Sequence, residues 1–347
     1  MAVKEWLSRL WFKVSMSLPG PLQIVLAGGK PIVIRGHRLD PSIQLLAHYS
    51  AGQPSLDTLP IDIARAAAAA GYAALSAPPR QEITVRDLQL DGAQEALPAR
   101  VCVPVRGQAN GVLVLFFHPG GWVIGDLNSG HSFCTEVAAR TGATVVSVDY
   151  RLAPEHPFPT AVDDAIAAYE WALSNAADLN CNPEKIIVAG ESAGGNLAAA
   201  ICQQAKSSGL PQPCGQYLVS PVTDLKHRSA SYTELGDAFP LTADLMEWFI
   251  DNYVDPSHAD DVRASVLLAT DLTDLAPAIV VTAGFDPLVD EGAAYAQKLC
   301  ASGVPVTYHC ESGSGHGVLT MAGLSRSCKS ASDRCIALLV DFIATLE

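Results

Sequence analysis

Residues 186–197 read Ile-Ile-Val-Ala-Gly-Glu-Ser-Ala-Gly-Gly-Asn-Leu, and this stretch decides the fold. An apolar run typical of a buried strand leads to a serine between small residues, and an alanine-rich helical pattern follows. The pattern Gly-x-Ser-x-Gly is typical of a sharp strand-to-helix turn with the serine at its apex. Side chains at Gly190 and Gly194 would collide with their neighbours in such a turn. The turn exposes the Ser192 hydroxyl at a helix N-terminus, where the helix dipole favours developing negative charge.

Strands and helices alternate along most of the chain. The apolar run Val112–Phe117 predicts a central strand covered on both faces. Further strand-like runs occur at 144–148, 186–189, 217–219, 279–282 and 304–308, with helical patterns at 132–140, 160–174, 193–206, 291–301 and 328–346. Upstream, residues 83–90 and 99–103 predict an antiparallel edge. The alternation predicts an α/β fold with a mostly parallel sheet flanked by helices.

Two regions lack this alternation. The first seventy residues have a helical character, and residues 221–277 form a connection too long for one crossover, with a helical pattern at 243–253. Sites in open α/β sheets lie at the carboxyl ends of the strands, so an insertion there is expected to cover the site. We predict a catalytic core of residues 71–224 and 266–347 under a helical cap of residues 1–70 and 225–265.

Composition excludes several classes of function. The net charge of −14 in 347 residues argues against nucleic-acid binding, which favours basic surfaces. The nine cysteines have no CxxC spacing and the chain has no HExxH, so we expect neither a metal nor a metal-binding fold. Dispersed cysteines predict reduced thiols and a cytoplasmic protein. No apolar run is long enough to span a bilayer.

The N-terminus carries an apolar stripe at helical spacing. One face holds Val3, Leu7, Leu10, Val14 and Leu18, and the cations Lys4, Arg9 and Lys13 lie elsewhere. We expect the stripe to pack against the body of the protein. The alternative is a helix that contacts a membrane surface.

The segment His-Pro-Gly-Gly-Trp at 118–122 directly follows the predicted central strand. Acyl transfer through a serine requires donors aimed at the tetrahedral oxyanion. Glycines let backbone N–H groups approach the reacting centre. We therefore predict an oxyanion hole from the N–H groups of Gly120, Gly121 and Ala193. The alternative is an ordinary Pro-Gly-Gly turn, which the position between strand and serine turn disfavours.

An acid and a base follow later in the chain. Asp286 comes just after the strand-like run 279–282, and Pro287 restrains its backbone. Asp286 could instead cap the next helix, but that role suits Asp290 better, and Asp290 is the reserve acid. His316 lies in a glycine-rich segment, residues 312–317, that we expect to be a mobile loop. A serine, an acid and a histidine in this chain order are typical of α/β-hydrolases.

These motifs, together with Tyr-Arg-Leu-Ala-Pro-Glu at 150–155, resemble those of bacterial esterases of the hormone-sensitive-lipase family. The resemblance extends from about residue 112 to the end. It implies an α/β-hydrolase fold with an eight-stranded sheet and a helical cap. It also implies carboxylesterase activity without a cofactor, and it favours Asp286 as the acid. Residues 150–155 are expected to be structural.

Two residues depart from the family pattern. Pro119 replaces the first glycine of His-Gly-Gly-Gly, and Glu191 replaces the usual aspartate before the serine. The N–H of that first glycine is not expected to face the oxyanion, so Pro119 need not harm catalysis. We expect Glu191 to give local support.

The sequence therefore predicts a serine carboxylesterase that hydrolyses short- to medium-chain esters through an acyl-enzyme on Ser192, with a small-molecule ester as its partner. Two alternatives stay open. An amidase or peptidase would use the same triad, and a non-catalytic ligand-binding protein would use the same scaffold. Plant gibberellin receptors resemble this family but lack the triad histidine, whereas His316 is present here. A homodimer also stays open. Four aromatic residues are candidates for the acyl pocket or the core: Trp122, Phe239, Trp248 and Phe249.

Overall fold

The structure of the protein is a computed structural model, and it describes residues 11–105 and 109–346. Within these residues, a two-stranded hairpin precedes an eight-stranded sheet. The hairpin strands are β1 (Val33–Ile34) and β2 (His37–Arg38). The sheet strands are β3 (Thr84–Leu90), β4 (Leu97–Val103), β5 (Leu113–Phe117), β6 (Thr144–Val148), β7 (Ile186–Glu191), β8 (Gly215–Val219), β9 (Ala278–Phe285) and β10 (Val306–Gly315).

The sheet has the order β10-β9-β8-β7-β5-β6-β4-β3. The strands from β5 to β10 pair in parallel, whereas β4 pairs antiparallel with both β3 and β6. The predicted parallel sheet with an antiparallel edge is therefore confirmed.

The described helices lie on both faces of the sheet and over one edge of it. They are α1 (Gly20–Leu26), α2 (Pro41–Ser50), α3 (Ile61–Leu75), α4 (His131–Thr141), α5 (Thr160–Asn175), α6 (Ala193–Ser208), α7 (Ala230–Glu234), α8 (Ala243–Tyr253), α9 (Val289–Ala301) and α10 (Arg326–Ala344). None of these helices combines the length and the apolar character that crossing a membrane requires.

Alternate side chains of the central strands contribute to two apolar cores, one on each face of the sheet. On β5, Leu113 and Leu115 join the apolar cluster that contains residues of α5, α6 and α9. The residues that follow them, Val114 and Phe116, belong to a second apolar cluster, which contains residues of α4 and α10. Successive side chains of a strand point to opposite faces, so a strand covered on both faces reads as a continuous apolar run.

The segments that the sequence assigns to a cap lie near the carboxyl ends of the strands. Leu39 and Ile43 from the N-terminal region share an apolar cluster with Leu235 and with Phe285 at the end of β9. Helix α3 continues to Leu75, past the predicted boundary at residue 70. The division into a core and a cap stays a prediction.

The N-terminal stripe does not pack inward as a whole. Val3, Leu7 and Leu10, with Lys4 and Arg9, lie outside the described residues. Val14 is 44% exposed, so the expectation that the stripe packs on the protein body is wrong for this residue. The helical turn at residues 11–16 instead directs Met16 into the core, because the inward face of this turn is offset from the predicted stripe.

Candidate active site

Ser192 lies at the apex of the turn between β7 and α6. Its backbone has φ 60° and ψ −120°, a conformation that residues with a side chain rarely adopt. The Ser192 N–H donates to the carbonyl of Val219 at 2.8 Å, which fixes the turn against β8. A Cβ at Gly190 would overlap the backbone of Gly194, and a Cβ at Gly194 would overlap the carbonyl of Phe117. The predicted need for glycine at both positions is confirmed.

The structure brings His316 to Asp286. Asp286 is fully buried after β9, and its Oδ2 lies 2.8 Å from His316 Nδ1. The other oxygen of Asp286 accepts from the Leu288 N–H at 2.9 Å, which fixes the orientation of the carboxylate. Asp290, the reserve acid, is instead held by Arg35, whose guanidinium nitrogens lie 2.6 and 3.0 Å from its oxygens. Of the two predicted acids, only Asp286 contacts the histidine.

His316 directly follows a strand. The expectation of a mobile loop at 312–317 is wrong, because β10 continues through Gly315, which pairs with Phe285 on β9. The register shifts between Glu311 and Gly315, so the glycines form an irregular strand end and not a loop. The last ordered strand pair therefore positions the ring of His316.

The surroundings of His316 favour its protonated form. Burial alone would lower its pKa, but the charge of Asp286 and its hydrogen bond to the ring, with a further contribution from Glu191, raise the pKa above the ordinary 6.5. Because the Asp286 carboxylate accepts, Nδ1 carries a proton, and Nε2 of the neutral ring is free to accept another. In the part of the chain that the structure describes, no hydrogen bond joins the Ser192 hydroxyl to this ring. Such bonds are often long in an unliganded site and tighten when substrate is bound.

The loop after β5 brings two glycines to the serine. Gly120 has φ 132° and Gly121 has φ 58°. A Cβ would overlap the carbonyl of Ile124 in the first case and the ring of Phe249 in the second. Both glycines line the same cavity as Ser192. Ala193, the third predicted donor, is the first residue of α6 and is buried.

Residues 150–155 hold the loop after β5 in place through hydrogen bonds and ring stacking. The Tyr150 hydroxyl donates to the carbonyl of His118 at 2.8 Å, and the two rings stack with their centroids 4.2 Å apart. The Ala153 N–H donates to the carbonyl of Trp122 at 2.9 Å. Burial lowers the pKa of His118 to about 4, so this ring is neutral and supports the loop. The contacts agree with a structural role for 150–155.

Arg65 is a residue of the site that the sequence analysis missed. Its guanidinium donates to the carbonyls of Val123 and Ala153, each at 2.9 Å, and pairs with Glu155 at 2.6 Å. One side chain of α3 thus connects the glycine loop to the 150–155 segment. The signal was present in the sequence, because Arg65 is the one cation in the alanine-rich run 61–70.

Glu191 supports the segment that follows His316. Its buried carboxylate accepts from the Leu319 N–H at 3.0 Å. Burial, with a smaller contribution from the charge of Asp286, raises the pKa of Glu191 to about 7, and the Leu319 hydrogen bond and the attraction of His316 oppose this rise. The predicted local support is therefore confirmed, and it acts on the segment that directly follows the histidine.

A cavity of about 560 Å³ contains Ser192, His316, Gly120 and Gly121 on its wall. Most of the remaining lining comes from α2, α3, the segments 51–56 and 237–245, and Phe249, and it is mostly apolar. This volume is within the usual range for small-molecule sites, about 300–1,000 Å³. The cavity can therefore hold a small, largely apolar molecule next to the serine.

Two of the four aromatic candidates line this cavity. Phe239 and Phe249 do so, the latter against Gly121. Trp122 is buried in the core and stacks on Tyr253 with ring centroids 4.1 Å apart. Trp248 packs partly buried against the same core.

Comparison with known proteins gives consistent results. Residues 114–320 match a protein family whose members have the α/β-hydrolase fold. The chain is 38% identical to the carboxylic ester hydrolase LipN of Mycobacterium tuberculosis over 94% of its own length and 89% of that protein. It is 36% identical to the carboxylesterase NlhH of the same species, over 87% and 95% of the two chains.

A solved structure of the ester hydrolase EH1AB1 from the metagenome of Lake Arreo superimposes with a TM-score of 0.83 at 35% identity, covering 88% of this chain and 99% of that one. The family match over residues 114–320 includes the serine turn and the strands from β6 to β10. The chain therefore belongs to the α/β-hydrolase family, and it is a carboxylic ester hydrolase of the hormone-sensitive-lipase type.

Proposed function

We propose that Ser192 is the nucleophile of a serine esterase mechanism. Its hydroxyl attacks the ester carbonyl while His316 Nε2 takes the proton and later returns it to the leaving alcohol. Asp286 holds the ring through Nδ1 and stabilises its positive charge. Backbone N–H groups of Gly120, Gly121 and Ala193 stabilise the tetrahedral oxyanion. Water then hydrolyses the acyl-enzyme.

One observation carries this proposal: His316, whose Nδ1 lies 2.8 Å from the buried Asp286, lines the same cavity as Ser192, which is held at φ 60°. The two functions of the pair are to fix the ring tautomer and to raise its basicity, and both match what a serine nucleophile requires. The raised pKa of His316 supports its role as the base.

The substrate class that we propose is a soluble ester with a short- to medium-length acyl chain. The cavity of about 560 Å³ supports this class, because most of its lining is apolar and its volume suits a small molecule. An amidase would use the same residues with a different leaving group. A ligand-binding protein would occupy the cavity without turnover.

The test combines turnover with labelling of the serine. Purified protein is assayed on p-nitrophenyl esters from acetate to decanoate and on matched p-nitroanilides, with Ser192→Ala beside it. Ser147→Ala, a buried serine on β6 outside the cavity, is the matched control. We expect a fluorophosphonate to label the wild type and Ser147→Ala, but not Ser192→Ala.

We expect Ser192→Ala to lose roughly four to six orders of magnitude in kcat, as triad variants do. Wild-type rates from Ser192→Ala would refute the assignment of the nucleophile. Faster turnover of the anilides than of the esters would establish an amidase. Tight ligand binding without turnover or labelling would establish a binding protein.

A further inference from the structure

The N-terminal region exposes an unusual amount of apolar side chain. Of the eleven large apolar residues that are exposed in the described chain, six lie between residues 11 and 33. We call the surface of residues 11–38 the N-terminal face. Its exposed apolar residues are Trp11, Val14, Leu22, Val25, Ile32 and Val33.

Helical spacing places four of these six side chains outward in two pairs. Trp11 and Val14 are three residues apart in the helical turn 11–16, and Leu22 and Val25 are three apart in α1. The opposite face of α1 already supplies the core with the buried side chain of Ile24. Each of these two helical segments therefore carries an exposed apolar pair.

The same region is cationic in an acidic protein. Residues 11–39 contain four lysines and arginines and no aspartate or glutamate, although the chain has a net charge of −14. Arg35 is paired with Asp290 and Glu234. Across residues 11–105 and 109–346, no carboxylate lies within 4.0 Å of the charged groups of Lys13, Lys30 or Arg38. Three cations that have no ion pair thus accompany the apolar side chains.

A groove of about 1790 Å³ adjoins this face. It runs between the N-terminal segment, α3 and the beginning of α10. Its lining has three cations, Lys13, Arg326 and Lys329, and one carboxylate, Asp40. Lys329 also pairs with Asp333. The positive character therefore continues from the N-terminal face into a concave surface beside it.

We propose that the N-terminal face binds the surface of an anionic lipid bilayer. Aliphatic residues and a tryptophan beside lysine and arginine are the composition of segments that lie in a membrane interface. Each cation near an anionic surface adds about 1 kcal/mol of attraction. A second copy of this chain is a poorer occupant, because a symmetric contact through this face would bring the same unpaired cations together.

The position of the face relative to the cavity is consistent with this partner. Helix α1 packs against α2, and Ala47 and Ser50 of α2 line the cavity that contains Ser192. Bound to a bilayer, the protein would hold the cavity one helix away from the lipid. Lipid binding itself does not depend on the proposed esterase mechanism.

Vesicle co-sedimentation tests the proposal. The full chain carrying Ser192→Ala is mixed at low salt with vesicles of phosphatidylcholine, alone or with about a third phosphatidylglycerol. The same Ser192→Ala background carries Leu22→Ser/Val25→Ser or Lys13→Glu/Lys30→Glu. The matched controls are Val85→Ser/Val262→Ser, two exposed valines elsewhere, and Arg86→Glu, an exposed arginine on β3. Circular dichroism verifies that each variant is folded.

We expect binding to the anionic vesicles that weakens in high salt. Leu22→Ser/Val25→Ser and Lys13→Glu/Lys30→Glu should each lower the partition constant at least tenfold, which corresponds to about 1.4 kcal/mol. The control variants should bind as Ser192→Ala does. No pelleting above the protein-only level, or equal losses in test and control variants, would overturn the proposal. So would a dimer in sedimentation velocity that Leu22→Ser/Val25→Ser dissociates, because the face would then bind a second copy.

Discussion

Replacement of Glu191 by glutamine should change how the stability of the protein depends on pH. The carboxylate is buried, and its pKa is raised from an ordinary 4.5 to about 7, chiefly by burial. An acid with a raised pKa in the folded state binds more protons there than in the unfolded chain. Stability is therefore lost as the pH rises between the unfolded and the folded pKa. Glutamine keeps an oxygen for the Leu319 N–H and has no proton to lose in this range.

The size of the effect follows from the two pKa values. A shift of about 2.5 units at about 1.4 kcal/mol per unit gives about 3 kcal/mol of lost stability when the carboxylate is fully ionised. Between about pH 5 and pH 8 the wild type should lose roughly 2–3 kcal/mol from this group alone. Glu191→Gln should lack this loss and should unfold at a higher urea concentration than the wild type at pH 8.

Urea unfolding at a series of pH values measures the difference. Glu184→Gln is the matched control, because Glu184 is an exposed glutamate two residues before β7 begins. Its stability curve should run parallel to that of the wild type. If the curve of Glu191→Gln is also parallel to that of the wild type from pH 5 to pH 8, Glu191 does not ionise at a raised pKa, and the reasoning from burial is wrong.

Three further predictions concern activity. First, kcat/KM should rise with pH to a plateau, because only the neutral ring of His316 accepts the serine proton, and the pH at the midpoint of this rise should lie above the ordinary pKa of histidine. Asp286→Asn should lower the pH of this midpoint in a pH–rate profile. Second, Gly121→Ala should lower kcat by about a hundredfold, as the loss of one oxyanion donor does. Adding Phe249→Ala to this variant should restore part of kcat, because it removes the ring that the new methyl group meets. Third, Arg65→Met should lower kcat more than it raises KM and should lower the melting temperature by a few degrees, since it removes two hydrogen bonds to carbonyls of the glycine loop and the 150–155 segment.

The sequence was sufficient for the features that local chemistry determines. The strands of the sheet read as continuous apolar runs because both of their faces are covered, and the glycines at 190 and 194 are required by contacts within a few residues or with the adjacent strand. The order of serine, acid and histidine followed from which residues come after which strands. None of these inferences required knowledge of distant packing.

The features that the sequence did not predict depend on distant contacts. Glycine-rich residues 312–315 read as a loop, yet they form the end of β10 because Gly315 pairs with Phe285 thirty residues earlier. Arg65 is absent from the predicted site residues, because its partners lie 58 to 90 residues later in the chain. Long-range partners of this kind leave no periodic pattern in a single sequence.

The choice between Asp286 and Asp290 shows how far local reasoning extends. Both carboxylates stand near the N-terminus of the same helix, so position along the chain ranked Asp286 first but kept Asp290 in reserve. The structure separates them by their partners. Arg35 on the β1–β2 hairpin binds Asp290, whereas the buried carboxylate of Asp286 contacts, among residues 11–105 and 109–346, only His316 and the Leu288 N–H. A carboxylate already neutralised by an arginine would attract an imidazolium weakly, whereas a buried carboxylate without another charged partner attracts it strongly. Because Arg35 of the hairpin at the N-terminal face binds Asp290, Asp286 is the one of these two carboxylates whose charge acts on His316.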